Sequence, residues 1–193
     1  EIQKIADDND ATLLFDAAQA FGSKYKGKRI GGFGKVEILS GSPTKHFSTA
    51  EGGFVATNDD KIAETAKLTR NYGVEPNYNT VIPGLCARMP EINAAIGLAM
   101  LPHVDGYIEN RNNYADKFKA ALKDVPGLSY QKINSDGHSS FNYFGIIIDE
   151  EKFGLNNKQL YNALNAEGIH PKIYYHPPVH KHTAYKEFNS LSL

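Results

Sequence analysis

The sequence predicts an α/β protein, with a larger region built around parallel strands and a smaller α+β region at the carboxyl end. Three short apolar runs, two of them ending in polar side chains, precede three helical patterns. After residue 127 the chain becomes richer in aromatic and β-branched residues. We therefore divide it into a large domain over residues 1–103, a connecting helix over residues 104–127 and a small α+β domain over residues 128–193.

The strands of the large domain are predicted from its apolar runs. Residues 12–15 form a short apolar run that we expect to be a buried strand, and Asp16 follows it. Residues 36–39 and 54–57 predict two further strands, with Ser40 at the end of the first of them. Ligands bind beyond the carboxyl ends of parallel strands in open α/β sheets, so Asp16 and Ser40 are candidate site residues.

The helices are predicted from capping residues and apolar spacing. Polar residues 58–60 can cap a helix over residues 61–70, and a long loop over residues 71–87 follows. Pro90 is typical of the first turn of the next helix, and Pro102 should kink or end it. The expected apolar positions are Ile92, Ala95, Ile96 and Ala99 in this helix and Tyr107, Tyr114, Phe118, Ala121 and Leu122 in the next.

The small domain is predicted from three segments. Residues 139–148 and 172–176 have the composition of strands, and residues 157–166 that of a short helix. Residues 172–176 lead into Pro177 and Pro178.

Composition narrows the function classes. The formal net charge of -1 gives no broad basic surface for nucleic acid or membrane. A single cysteine, Cys86, excludes an internal disulfide framework and fits a reducing cytoplasm, where we expect the protein. No apolar run reaches the roughly 18 residues of a transmembrane helix. The histidines near the carboxyl end have no common metal-ligand spacing, so we predict no metal site.

Three residue types in the first half of the chain suggest one cofactor. Lys45 lies in a polar, glycine-containing loop, 29 positions after Asp16 and five after Ser40. An amine, a carboxylate and a phosphate donor that converge on one ring suit pyridoxal phosphate. Taken singly, Lys45 could be a solvated loop lysine, Asp16 a helix N-cap and Ser40 a turn residue.

The order of these motifs resembles the DegT–StrS family of pyridoxal-phosphate sugar aminotransferases, a branch of fold type I. The most specific part is the succession of DAAQAFG at residues 16–22, SGSPTK at 40–45 and EGG at 51–53. Weaker matches extend through most of the chain: YKGK at 25–28, TND at 57–59, RNYG at 70–73, RMPEINAA at 88–95 and YHPPVH at 175–180.

The resemblance implies a role for each matching residue. Lys45 corresponds to the Schiff-base lysine, Asp16 to the partner of the pyridine nitrogen and Ser40 to a phosphate donor. Ala18 corresponds to the small residue on one ring face and Gln19 to the group near the phenolic oxygen. His176 and His180 would lie on the substrate side of the cleft.

The implied activity is transfer of an amino group, from glutamate or glutamine, to a free or nucleotide-linked keto sugar. The reaction would run as two ping-pong half-reactions in a homodimer. The implied fold is the carboxyl-terminal part of a fold type I large domain plus a small α+β domain. The amino-terminal half, with a Gly/Thr phosphate loop and a stacked aromatic residue, is expected to be absent, because the chain opens in what resembles the tail of a helix.

Some positions depart from the family pattern. Gly41 and Ser42 replace aromatic and histidine residues, and Cys86 replaces an asparagine in a loop that reaches the partner subunit's phosphate. Two alternatives stay open: the family's sugar dehydratases, which have histidine at the position of Lys45, and a cofactor-binding regulatory protein without turnover.

Overall fold

A computed structural model of the chain describes residues 1–188 and divides it into two compact units. The first unit holds residues 1–121 and 132–144, and the second holds residues 122–131 and the chain from residue 145 onward. This division differs from the one drawn from sequence. Nearly all of the connecting helix belongs to the first unit, and residues 132–144 return to it. The returning main chain is bonded there, because Ser139 C=O accepts from the Asn112 side chain and Ser140 N–H donates to Ser23 Oγ.

The first unit contains short strands and four helices within the described residues. In chain order these are α1 (Ile2–Asp8), β1 (Leu14–Asp16), β2 (Lys24–Tyr25), β3 (Lys28–Arg29), β4 (Val36–Ser40), β5 (Gly53–Ala56), α2 (Asp60–Thr69), α3 (Glu91–Met100) and α4 (Val104–Leu122), whose last residue is assigned to the second unit.

A three-stranded sheet with the order β1-β4-β5 forms the base of the first unit. Strand β4 is central and pairs in parallel with β1 and antiparallel with β5. Central position explains why Val36 and Leu39 are buried. By contrast β1 is an edge strand, and Leu14 is 54% exposed, so the expectation of a buried first strand is wrong within this chain.

A small hairpin links β1 to β4 along the chain. Strands β2 and β3 pair antiparallel, and the intervening Lys26 and Gly27 both have positive φ angles. Two positive φ angles are the requirement of the tight turns that match strand twist, and glycine meets it without a steric penalty. A third strand, β7 (Gly137–His138), adds to β2 from the returning segment.

Helix α2 begins and ends within one residue of its predicted bounds. Asp59 is its N-cap, and the Asp59 carboxylate accepts hydrogen bonds from the main-chain N–H groups of Lys61 and Ile62. These bonds satisfy donors that a helix start leaves unpaired, which is why a polar run before the helix predicted it correctly.

Helices α3 and α4 are separated by a single 3₁₀ turn, Leu101–His103, at the position of Pro102. The predicted break is therefore confirmed. The buried faces differ from expectation: α3 buries Gly97, whereas Ile92 is 76% exposed. In α4 the buried residues are Val104, Ile108 and Ala115, and the aromatic positions Tyr114 and Phe118 are more than half exposed.

The core of the first unit explains the buried face of α4. Val104 and Ile108 pack with Phe47, and Phe21 stacks on Phe47 with ring centroids 4.0 Å apart. Phe54 and Met100 close this cluster. Because Phe47 lies two residues after Lys45, the core fixes the loop that carries the lysine.

The second unit contains β6 (Leu128–Tyr130), β8 (Ile146–Ile148), α5 (Glu150–Phe153) and α6 (Asn157–Ala166). Strands β6 and β8 pair antiparallel, and α6 has the predicted bounds, with a capping box between Asn156 and Gln159. Only residues 146–148 of the predicted strand 139–148 are extended as a strand. Residues 172–176 form no strand, and residues 174 and 175 lie in a turn. The adjacent prolines lack N–H donors, which disfavours strand pairing there. In the described chain no helix is long and apolar enough to cross a membrane.

Candidate active site

The carboxyl ends of β1 and β4 bring the first two candidate residues to one edge of the sheet. Asp16 is paired with Ile38 in the parallel register, and Ser40 lies two residues beyond Ile38 on the same strand. The Ala17 N–H donates to the Ile38 carbonyl at 2.8 Å and continues this pairing past Asp16. The sheet therefore brings a carboxylate and a hydroxyl to the carboxyl ends of two paired parallel strands, where the sequence predicted them.

Asp16 is held by the turn that follows it. Its Oδ1 accepts a hydrogen bond of 3.0 Å from the main-chain N–H of Ala18, and its side chain is exposed. Residues 17–20 form a turn closed by Ala20 N–H to Ala17 C=O, so the N-cap alternative for Asp16 is wrong. The hydrogen bond to Oδ1 orients the side chain, and Oδ2 can accept a hydrogen bond from a protonated ring nitrogen.

Ser40 and Ser42 form the next polar group. The main-chain N–H of Ser42 donates to Ser40 Oγ at 3.2 Å, and Ser42 Oγ lies 3.4 Å from Thr44 Oγ1. A hydroxyl has one donor and two acceptor positions, so Ser40 can still donate its own proton to an anion. Ser40 thus keeps a donor that a phosphate contact would require.

Residues 41–52, here called the lysine loop, fold around the buried side chain of Thr49. Thr49 Oγ1 lies 3.3 Å from the Gly41 carbonyl and 3.0 Å from the Glu51 carbonyl. On the other side, Asn93 Nδ2 of α3 donates to the carbonyls of Thr49 and Glu51 at 2.7 and 2.9 Å. Helix α3 and one threonine therefore fix the second half of the loop.

Close packing around Thr49 requires glycine at residue 52. Gly52 has a φ of +151°, and a Cβ built there would lie 2.6 Å from Thr49 Oγ1. Both the backbone conformation and the contact exclude a side chain. Loop geometry thus explains the first glycine of the EGG motif.

Lys45 itself is half-buried in the first half of the loop. Its main-chain N–H donates to the Ser42 carbonyl at 3.1 Å, and its Nζ lies 5.9 Å from the centroid of the Tyr143 ring. Within the described chain Lys45 forms no ion pair with a carboxylate. Since no carboxylate is paired with it, the Lys45 amine is available for covalent chemistry at a carbonyl group.

Two residues beside Lys45 were missed in the sequence. His46 and Asn142 are both buried, at 6% and 8% exposure, and their side chains contact each other. Nothing in the local sequence indicates this contact, since the two residues are 96 positions apart. The only available signal is the group of aromatic residues around residue 142, which suggests that this polar residue is buried.

A cavity of about 590 Å³ borders Lys45 within the first unit. Its walls come from α4 and from the returning segment, including Tyr107, Tyr114, Phe118 and Phe144. Tyr107, Tyr114 and Phe118 are the aromatic residues that were expected on the apolar face of α4. Their exposure is explained by this cavity, which they line.

Cys86, the departure noted above, contacts Tyr72 and Arg88. A hydrogen bond with the Tyr72 side chain lowers the pKa of the Cys86 thiol. Burial opposes this shift, and the hydrogen bond and charge of Arg88 lower the pKa further. The same contact with Cys86 raises the pKa of Tyr72. Cys86 is exposed, so this thiol is ionised more readily than an ordinary one.

The other predicted residues lie elsewhere. Ala18 is half-buried in the turn after Asp16, and the neighbouring Gln19 is exposed. His176 and His180 are exposed residues of the second unit. Their predicted roles at a ring face, a phenolic oxygen and a substrate stay predictions.

The residues at this edge fit pyridoxal phosphate by the chemistry of their donors and acceptors. Asp16 Oδ2 can accept from a protonated pyridine nitrogen, the Ser40 hydroxyl can donate to a phosphate, and Lys45 supplies the amine. All three belong to the first unit and are oriented by its sheet and core.

Comparisons with known proteins agree with this geometry. The sequence profile of the DegT/DnrJ/EryC1/StrS aminotransferase family matches residues 1–192. The chain is 32% identical, over 95% of its own length and 50% of the relative's, to a dTDP-4-amino-4,6-dideoxy-D-glucose transaminase of Shigella dysenteriae. The chain spans about half the length of the curated relatives it matches.

Solved structures give the same result. Helicobacter pylori PseC, an aminotransferase involved in the biosynthesis of pseudoaminic acid, superposes with a TM-score of 0.90 at 28% identity, over 100% of this chain and 53% of that one. GDP-4-keto-6-deoxy-D-mannose-3-dehydratase of E. coli, solved with hydrated pyridoxal phosphate, superposes with a TM-score of 0.79 at 30% identity, over 86% and 47%.

These matches confirm the predicted fold class, a fold type I large-domain part with a small α+β domain. They also confirm the resemblance drawn from the motifs, and the family uses pyridoxal phosphate. The chain belongs to the DegT/DnrJ/EryC1/StrS family of sugar aminotransferases.

Proposed function

We propose that the protein is a pyridoxal-phosphate aminotransferase that moves an amino group from glutamate or glutamine to a nucleotide-linked keto sugar. The observation that carries this proposal is the placement of Asp16, Ser40 and Lys45 by the end of the parallel pair β1 and β4. Family membership and the similarity to a nucleotide-sugar transaminase support it.

Each residue would have one task toward the cofactor. Asp16 would keep the ring nitrogen protonated, and a charge-assisted hydrogen bond of this kind contributes about 1.5–3 kcal/mol. Ser40 would donate to the phosphate, and Ala18 and Gln19 would lie at the ring face and near the phenolic oxygen. When bound, pyridoxal phosphate supplies an electron sink that stabilises negative charge on the substrate carbon.

Lys45 would do the chemistry that requires a protein group. Its Nζ would attach the cofactor's carbonyl carbon with loss of water and be released when a substrate amine takes its place. The freed amine would then move a proton between the substrate carbon and the cofactor. The overall exchange would convert the amino-acid donor to its keto acid and the keto sugar to an amino sugar, in two half-reactions that share one site.

The remaining parts of the proposal concern the whole protein. We place the reaction in the cytoplasm and expect a homodimer, with the loop around Cys86 at the partner's phosphate. His176 and His180 are proposed to contact the sugar. The dehydratase alternative is disfavoured by Lys45, because the family's dehydratases have histidine there.

A half-reaction assay tests the proposal. The full-length protein, loaded with pyridoxal phosphate, is mixed with glutamate or glutamine alone, and the cofactor absorbance and the keto acid are followed. We expect one equivalent of keto acid per site, and recovery of the starting absorbance when a nucleotide-linked keto sugar is added, with an amino sugar as product.

Two other results would contradict the proposal. Release of water from the sugar without amino transfer would identify a dehydratase, and stable cofactor binding without either reaction would identify a regulatory protein. The Lys45→Ala variant serves as the control, since it should give no keto acid.

A further inference from the structure

The direction of the Lys45 side chain depends on what fixes the backbone on its carboxyl side. The next residue, His46, is buried, and its Nε2 lies 2.7 Å from the main-chain carbonyl of Phe21. Since a carbonyl oxygen only accepts, Nε2 carries a hydrogen and donates to it. One end of the imidazole ring is thereby tied to the turn that follows Asp16.

The other end of the ring meets Asn142. Asn142 Oδ1 lies 3.2 Å from Nδ1 of His46 and accepts a hydrogen bond of 3.3 Å from the main-chain N–H of the same residue. One amide oxygen therefore contacts both the ring and the backbone of His46. With the ring hydrogen on Nε2, Nδ1 offers a lone pair, so the contact with the main-chain N–H is the hydrogen bond and the contact with the ring is packing. The ring cannot rotate, and the peptide unit after Lys45 cannot turn, without breaking these contacts.

Asn142 is itself held in place from α4. Arg111 Nη1 donates to the carbonyl of Phe141 at 3.0 Å and lies 3.4 Å from that of Asn142. The following residue, Tyr143, places its ring 5.9 Å from Lys45 Nζ. A single short segment thus determines both the backbone beside Lys45 and the surface under its amine.

Packing alone does not explain an asparagine at this position. Its Nδ2 is buried and makes no hydrogen bond within the described residues. A buried donor without a partner is unfavourable, so an apolar residue of similar volume would fill this space at lower cost. The amide oxygen, with its two contacts to His46, is therefore the part of the side chain that explains an asparagine at this position.

We propose that Asn142 and His46 are positioning residues that hold Lys45 in the orientation needed for attachment to the cofactor, an inference that rests on the proposed function. Asn142 acts on the backbone and ring of His46, and His46 links Lys45 to the turn after Asp16. The pair thereby joins the amine and the carboxylate of the site through a continuous set of contacts.

The test compares three variants of the full-length protein. Asn142→Leu removes the oxygen at nearly constant volume, Asn142→Asp keeps an oxygen at both contacts, and Asn112→Leu is the matched control. Asn112 also joins α4 to the returning segment, through Ser139 C=O at 3.0 Å, but it does not contact the lysine loop. Should Asn142→Leu not fold, Asn142→Ala replaces it.

Two readouts separate positioning from stability. Hydrogen exchange of the His46 main-chain amide, measured without cofactor, should accelerate at least about tenfold in Asn142→Leu. The apparent Kd for pyridoxal phosphate, from the absorbance of the bound form, should rise about tenfold. Asn142→Asp should restore both values toward those of the parent, and Asn112→Leu should change neither, even if it lowers Tm.

Several outcomes would overturn the inference. One is parent-like exchange and cofactor affinity in folded Asn142→Leu or Asn142→Ala. Another is an Asn142→Asp variant that is as impaired as Asn142→Leu. Failure of the parent protein to bind cofactor at Lys45 would contradict the proposed function instead. In that case the exchange measurement still decides whether Asn142 holds the loop.

Discussion

The lysine loop and the loop over residues 71–88 are both polar, irregular segments, yet they are held in different ways. The lysine loop is fixed by buried side chains, with Thr49 1% exposed and His46 6% exposed. The second loop is held mainly by main-chain bonds, such as Tyr72 N–H to Leu85 C=O, while Tyr78 is 91% exposed.

This difference teaches which part of the site the chain can specify by itself. Side chains that are buried within one unit give Lys45 a defined position before any ligand binds. Exposed side chains such as Tyr78 and Leu85 have no such constraint in the described chain. We therefore expect substitutions in the lysine loop to change cofactor chemistry or stability. Substitutions in the second loop should change only the reactivity of nearby side chains such as Cys86.

The largest effect is expected at Asp16, whose carboxylate belongs to the same candidate site as the lysine loop. Asp16→Asn should reduce the rate of amino transfer about ten- to a hundredfold, because it removes a charge-assisted hydrogen bond of about 1.5–3 kcal/mol. The rate of the donor half-reaction is the measurement. Asp10→Asn, an exposed change in the same unit, is the control, and equal rates in the two variants would argue against the role of Asp16.

Thr49→Val tests whether the lysine loop depends on its buried hydroxyl. The change keeps the shape of the side chain but removes a donor near two carbonyls, which should cost about 1–3 kcal/mol of unfolding free energy. Tm should fall by several degrees in thermal unfolding. The matched control is Thr65→Val, because Thr65 Oγ1 donates to Lys61 C=O on the exposed surface of α2. A loss no larger than that of the control would show that the loop is held by other contacts.

In the second loop, Tyr72→Phe should alter the reactivity of the Cys86 thiol and leave the fold unchanged. Loss of the Tyr72 hydrogen bond raises the pKa of the Cys86 thiol toward its ordinary value, so less thiolate is present near neutral pH. Alkylation of Cys86 by iodoacetamide at about pH 7.5 should slow roughly threefold. The two proteins should react at similar rates at high pH, where both thiols are ionised; a persistent difference there would indicate changed access instead.

The smallest effect is expected at the exposed pair between Arg29 and Asp105, 2.8 Å apart, outside both loops. The hydrogen bond from Arg29 lowers the pKa of Asp105 in the folded state. A lowered carboxyl pKa stabilises the fold above the unfolded-state value, and this contribution is lost as pH falls through the folded-state value. Asp105→Asn should therefore lower Tm slightly at pH 7, and the difference should disappear in strong acid and shrink in high salt. A constant difference at every pH would exclude this cause.

Much of the site was predictable because its chemistry follows strand ends and short spacings. Asp16, Ser40 and Lys45 lie within one stretch of chain, and the parallel pairing of two adjacent strands is enough to bring the first two together. Helix α2 was equally accessible, since Asp59 caps it locally.

The remaining features depend on contacts between distant parts of the chain. Asn142 reaches His46 across 96 positions, and no local pattern encodes that pairing. The buried face of α4 was misassigned because Phe21 and Phe47 select Val104 and Ile108, whereas the helix's own aromatic residues line a cavity. The predicted strand over residues 139–148 fails for the same reason, since Ser140 and Asn142 bond to side chains of the first unit.

The most direct test of the account is to locate the covalent bond to the cofactor. The full-length protein is incubated with pyridoxal phosphate, reduced with borohydride and digested, and the peptides are mapped by mass spectrometry. We predict one reduced cofactor per chain, on the peptide that contains Lys45, and none in Lys45→Ala. Labelling of a different lysine, or equal labelling of Lys45→Ala, would contradict the assignment of Lys45 as the residue that binds the cofactor.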